Sequence, residues 1–188
     1  MSQSSHPIPT VASRNRYRED PALRALLSRH LSPAALALAE PWFEEMGELA
    51  AGPIDELAFQ VDANPPVAQR YDRRGDRADR VIYHPAYHEL ERLSFGKGII
   101  SRFYEPKIRA RLVGHLSQVK FTVGYLFGQA EQGVFCPVAM TDSAARLLER
   151  HADPALRERY LPRMVTADRS RMSCFHPEVI RKTRVPRT

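Results

Sequence analysis

Cysteine is scarce: Cys136 and Cys174 are the only two in 188 residues. They form no metal-ligand spacing and no secreted disulfide framework, which points to a reducing cytosol. No stretch approaches the roughly 20 consecutive apolar residues of a membrane span, so no membrane partner is expected. Met1 to Pro9 is Ser- and Pro-rich, without the apolar core of a secretory signal. The glycines at 96, 98, 124, 128 and 133 make neither GxGxxG nor GxxxxGK[ST], so no local phosphate loop is encoded. No serine sits in a nucleophile elbow, and no repeat period is visible. Positive charge is missing between Leu31 and Gln69, where Glu40, Glu44, Glu45, Glu48, Asp55, Glu56 and Asp62 stand without a Lys or Arg.

The chain has instead an apolar fraction of 43% and a net charge of +6. That suffices for one cored domain. From His151 onward nine Lys/Arg face four acids, so the last fifth carries most of the excess. Such a basic segment can hold nucleic acid electrostatically.

Helical spacing dominates. Met1 to Glu19 reads as an extended arm. Asp20-Pro21 and Ser32-Pro33 are helix starts, with a capping oxygen followed by the residue that suits the first helical position. The second stripe runs Leu36, Ala39, Trp42/Phe43, Met46 and Leu49/Ala50, and Pro41 within it predicts a kink or a restart. Gly52-Pro53 ends that helix, and a short third one stops at Asn64-Pro65-Pro66. Val67–Tyr71 and Arg80–Tyr83, around Arg73-Arg74-Gly75-Asp76, predict a small hairpin or irregular excursion. His84-Pro85 caps a helix to about Phe95, with Tyr87, Leu90 and Leu93 inward, broken by Gly96 and Gly98. Pro106 starts the longest helix, to about Ala130, with the stripe Ile108, Leu112, Leu116, Val119, Val123, Leu126/Phe127. Pro137 opens another, with Met140, Ala144, Leu147 and Leu148 inward. Asp153-Pro154 caps a last short one. Six or seven helices, short links and no long strand predict an all-α bundle. Residues 1–19 form its arm, 20–166 the domain and 167–188 an irregular basic tail.

Each candidate motif has an ordinary reading beside it. Arg74-Gly75-Asp76 spells an integrin-type tripeptide, but Gly-Asp between arginines is turn chemistry. His84 and His88 share a helix face near Glu91 and could hold zinc. Pro85 and the lack of a suitably placed base favour structural or surface histidines, so no metal is assigned. Phe121, Tyr125, Phe127 and Phe135 are either core or the lining of a pocket. The pocket reading gains from Gly133 and from Cys136-Pro137, since a helix N-terminus offers free amides to a ligand. Phe127, Phe135, Cys136, Met140 and Thr141 are the candidate pocket-wall residues.

Four stretches together resemble the N-terminal helical domain of the acyl-CoA dehydrogenase superfamily, in its AidB-type, alkylation-response branch. They are Asn64-Pro65-Pro66 with Arg70-Tyr71-Asp72 and Gly75; Tyr83 to His88; Gly133, Cys136-Pro137 and Met140-Thr141; and Tyr160-Leu161-Pro162-Arg163-Met164. With Pro7 to Pro9 they span about residues 7 to 166. The resemblance implies an FAD-dependent, acyl-CoA-directed oxidoreductase that assembles as a homo-oligomer. In it, FAD lies between a β-domain and a C-terminal helical domain, and DNA contact belongs to the C-terminal domain. Arg171 to Glu178 stands where the β-domain signature is expected. The chain therefore reads as truncated before the flavin and catalytic-base domains, its tail explained by a frameshift or premature stop. No catalytic or cofactor-binding residue is assigned within it. The alternative is an autonomous helical module that binds protein or nucleic acid through Arg157 to Arg187.

Overall fold

The computed structural model describes residues 15–167; the expectations for the basic tail and for the first 14 residues lie outside them. Eight α-helices and one two-stranded ribbon follow in order. They are α1 (Pro21–His30), α2 (Pro33–Ala51), α3 (Pro53–Ala63), β1 (Val67–Tyr71), β2 (Arg77–Ile82), α4 (Pro85–Gly96), α5 (Pro106–Arg111), α6 (Leu116–Gly128), α7 (Phe135–His151) and α8 (Pro154–Met164). A 3-10 turn, Ser101–Tyr104, joins α4 to α5. The all-α expectation holds, with the ribbon as its one excursion.

Proline sets the helix starts. Six helices carry Pro in their first turn, where its missing N–H costs nothing and its fixed φ suits the helix. Asp20, Ser32 and Asp153 accept from the amides of Leu23, Ala35 and Leu156 at 2.8, 3.2 and 2.9 Å. His84 does the same through Nδ1, accepting from the Ala86 amide at 3.2 Å, so it caps a helix.

Pro41 does not restart α2, which runs unbroken to Ala51. The carbonyl deprived of its partner belongs to Ala37, on the exposed side where water can reach it. The expected single helix from Pro106 is two. α5 ends at Arg111, and Gly114 turns the chain with φ 79° before α6 begins. The apolar stripe hides this break because it keeps phase across it: Leu112, Val119, Val123, Leu126 and Phe127 are all buried.

The extended arm is also corrected at its end. Residues 16–19 form a turn that, with Asn15, is clasped onto α2. Tyr17 is 2% exposed, and its ring centroid lies 5.5 Å from that of Phe43. Its hydroxyl donates to Glu40 at 3.2 Å. Asn15 donates to the Glu44 carbonyl and carboxylate, both at 2.9 Å, and the Arg16 amide to the Gly47 carbonyl at 3.0 Å.

The core lies where α2 meets α6, with α3 and α4 closing one side; Phe43, Leu90, Phe103, Val123 and Phe127 are fully buried within it. In the ribbon Val67 pairs with Ile82, Gln69 with Arg80 and Tyr71 with Arg77. At its tip Asp72 Oδ1 accepts from the amides of Arg74 and Asp76 while Gly75 takes φ 86°, which is the turn expected for Arg74-Gly75-Asp76. No helix among the described residues is long and apolar enough to cross a membrane.

Candidate functional site

A slot of about 330 Å³ lies between α6, α7 and the turn after α4. Its apolar surface comes from Ile99, Ile100, Phe121, Gly124, Phe135, Val138 and Ala139. Gly124 is required by a close approach: a Cβ there would stand 3.1 Å from the Phe135 ring. The absence of a side chain on α6 lets Phe135 lie flat against that helix and reach Phe127, ring centroids 6.1 Å apart.

One end of the slot is charged. Lys120 Nζ donates to Asp142 Oδ2 at 2.5 Å, and both side chains are nearly buried. Lys120 also lies 5.2 Å from the Phe121 ring centre. Arg146 stands beside them, with Ser117 and Ser143. Next to this pair Arg109 binds the Glu149 carboxylate, donates to the Phe103 carbonyl at 2.7 Å and covers the Tyr104 ring at 4.5 Å. Burial, then the charges of Asp142 and Glu149, push the Tyr104 hydroxyl up to about 12. A low-dielectric setting disfavours the phenolate.

The sequence-derived wall residues are placed unevenly. Phe135 lines the slot, and Phe127 is buried behind it. Thr141 is fully buried, its hydroxyl donating to the Pro137 carbonyl at 2.7 Å. Cys136 is exposed. Met140, expected inward, is 49% exposed, and Leu147 is exposed as well. Ala145, not Ala144, is the fully buried residue of that turn. The helix begins at Phe135 rather than Pro137. The amides of Val134 and Cys136 are taken by Glu131 Oε1 and the Gln132 carbonyl at 2.9 and 3.2 Å. These two amides are not free for a ligand, and the free-amide expectation fails at both. Phe121 and Tyr125, the other two aromatics of that cluster, are largely exposed.

Sequence reasoning missed Lys120, Asp142 and Ile99-Ile100. Lys120 interrupts an apolar stretch between Val119 and Val123 and could have signalled a buried cation. Its partner, 22 residues away on another helix, has no sequence signature.

The site can hold an elongated apolar group beside a charged end. It presents no nucleophile paired with a base. His88 pairs with Glu91 at 3.1 Å, and among the described residues no three His, Cys, Asp or Glu side chains gather as metal ligands.

A helical bundle interrupted by a ribbon after its third helix, with an apolar slot charged at one end, is the arrangement of an N-terminal helical domain of the acyl-CoA dehydrogenase type. The chain belongs to the family of the adaptive response protein AidB N-terminal domain, whose model matches residues 7–169. It is 28% identical over 134 residues to "Acyl-CoA dehydrogenase family member 11" of Caenorhabditis elegans, covering 71% of this chain and 21% of that protein. The solved structure titled "Bd2924 apo-form" is 30% identical with a TM-score of 0.75, over 87% of this chain and 32% of that one. Caenorhabditis elegans ACDH-11, solved in complex with C11-CoA, shares the fold at TM-score 0.72 and 24% identity, over 87% and 28% of the two chains. The chain thus spans about a third or less of the proteins it matches.

Proposed function

We propose that this chain serves as the helical N-terminal part of a flavin-dependent, acyl-CoA dehydrogenase-like oxidoreductase. It walls one side of the acyl pocket, helps pack the oligomer and supplies no acid, base or hydride chemistry. The observation that carries this reading is the slot between α6 and α7. Its apolar lining suits an alkyl chain, and its volume of about 330 Å³ falls at the small end of ligand pockets, roughly 300–1,000 Å³. A neighbour with the same fold was solved with C11-CoA, a ligand with an alkyl chain of that kind. In this reading Phe135 touches the chain and Phe127 backs it. Thr141 ties down the first turns of α7, and Cys136 and Met140 face the rest of the parent.

The family resemblance implies FAD in the full-length proteins. The described residues do not fit it by themselves. A slot of about 330 Å³ is too small for the whole cofactor. The flavin that accepts hydride, and the carboxylate that takes the α-proton, are therefore assigned to other parts of the parent.

The test uses the purified full chain. A medium-chain acyl-CoA should bind saturably by calorimetry, competed by the free fatty acid. Ala139→Trp, which fills the slot, should weaken binding at least tenfold. The preparation should be colourless and retain no FAD. Acyl binding that is absent, or indifferent to Ala139→Trp, overturns the pocket assignment. Stoichiometric FAD retention overturns the division of labour.

A further inference from the structure

We propose that the charged end of the slot anchors a carboxylate through Arg146, so that the slot takes an alkyl chain ending in a carboxylate rather than a plain one. This rests on the reading of the slot as an alkyl pocket and names what its charged end holds.

The two helices run antiparallel along the slot. Gly124 of α6 faces Phe135 at the start of α7, and Lys120, one turn earlier on α6, meets Asp142, two turns further on α7. Another turn along each helix come Ser117 and Arg146, which also line the slot. The wall therefore changes in one direction, from a phenyl ring and a glycine at one end to a hydroxyl and a guanidinium at the other. Phe135 to Arg146 rises about 16 Å along α7, enough for a medium-length alkyl chain and a head group.

The balance of charge at the polar end selects that head group. Helical spacing puts two acids within reach of Arg146: Asp142, four residues before it, and Glu149, three after. Both are taken. Asp142 accepts from Lys120, and Glu149 is bound by Arg109 of α5. Arg109, Arg146, Asp142 and Glu149 all act on the Tyr104 hydroxyl, so they form one cluster. Among the described residues no hydrogen bond or ion pair involves Arg146. Three cations thus meet two carboxylates, and the excess charge sits on a half-buried arginine at the edge of an apolar slot. Taking an unpaired charge out of water is costly. A carboxylate balances the guanidinium through two parallel N–H···O bonds, and Ser117 and Ser143 supply hydroxyl donors on the same lining. A neutral head group would leave the excess charge in place.

Such a carboxylate is either the head of a free fatty acid or the far end of a dicarboxylic chain held as a thioester at its other end. Calorimetry on the full chain separates the two with matched probes: decanoate against decanamide, and decanedioyl-CoA against decanoyl-CoA. In at least one pair the carboxylate-ended probe should bind roughly tenfold or more tighter than its neutral partner. Arg146→Met should abolish that preference, and Arg146→Lys should keep part of it. A preference for decanoate alone identifies the fatty acid; one for decanedioyl-CoA identifies the dicarboxylic thioester. Thermal unfolding checks that Arg146→Met, which breaks no hydrogen bond, still folds. If the chains bind but neither pair shows a preference, or the preference survives Arg146→Met, the anchor is wrong and the alkyl-pocket reading stands. If no probe binds, both fall.

Discussion

Gly47→Ala should destabilise the fold even though it replaces a mid-helix glycine with the best helix former. On propensity alone the change would add about 1 kcal/mol. The clasp reverses the sign. A Cβ at Gly47 would stand 2.2 Å from Asn15 Oδ1, 2.6 Å from the Tyr17 amide nitrogen and 2.9 Å from Tyr17 Cβ. A backbone nitrogen cannot step aside without its turn, so residues 15–17 must lift from α2. Freeing the Tyr17 ring from its place at 2% exposure costs ~1.5–3 kcal/mol. The two Asn15 bonds contribute ~1 kcal/mol each. With the propensity gain set against these, the net loss is about 2–4 kcal/mol, or roughly 5–15 °C in melting temperature for a chain of this size. Thermal unfolding followed by circular dichroism measures it. Gly96→Ala is the matched control, because nothing lies within 4 Å of a Cβ there; it should be neutral or slightly stabilising. A melting temperature for Gly47→Ala equal to or above the wild type would refute the clasp.

Two further outcomes follow from the same structure. Tyr17 and Tyr104 are both pushed up to about 12, chiefly by burial. The folded state thus holds protons that the unfolded one releases near 10. The stability they contribute is intact below about pH 10 and lost between about 10 and 12, readable by urea denaturation across that range; denaturation independent of pH there would contradict both placements. In Gly47→Ala the phenolate absorbance should gain one tyrosine titrating near 10. Lys120→Met leaves Asp142 charged and buried, at a cost of ~3–5 kcal/mol, whereas Lys120→Met/Asp142→Leu should recover most of it; a double variant as unstable as the single one would refute the pair as the cause.

The helix starts were legible because they are local chemistry. A capping residue before proline needs no tertiary information, and Asp20, Ser32, His84 and Asp153 behave as their neighbours dictate. The motifs that carry the family resemblance turn out to be joints. Asn64-Pro65-Pro66 links α3 to the ribbon, and Tyr83 stacks on Tyr87 at 4.3 Å beside the His84 cap. Met164 buries the end of α8. The split between α5 and α6 was not legible, because an apolar stripe reports a face and not whether the backbone is continuous; only Gly114 marked the break. Tyr17 stood alone among arginines, with no periodicity to announce its burial. The slot was half visible. Phe135 followed from aromatic clustering, but Lys120 and Asp142 meet only after two helices pack.

The pairing of α2 with α6 bears on how the chain reaches its fold. Ala51 and Leu116 are about 65 positions apart, and closing a flexible loop of that length costs about 4 kcal/mol of entropy before any core contact forms. Neighbouring helices such as α2 and α3, or α7 and α8, close over only a few residues. The rate of folding should therefore be governed by the meeting of α2 with α6 rather than by helix formation. Everything between them, α3 through α5 with the ribbon, acts on that rate as a tether. A tether already collapsed into structure is shorter than the same residues unfolded, so substitutions that weaken α3 against α4 should slow folding even though neither helix belongs to the closing pair.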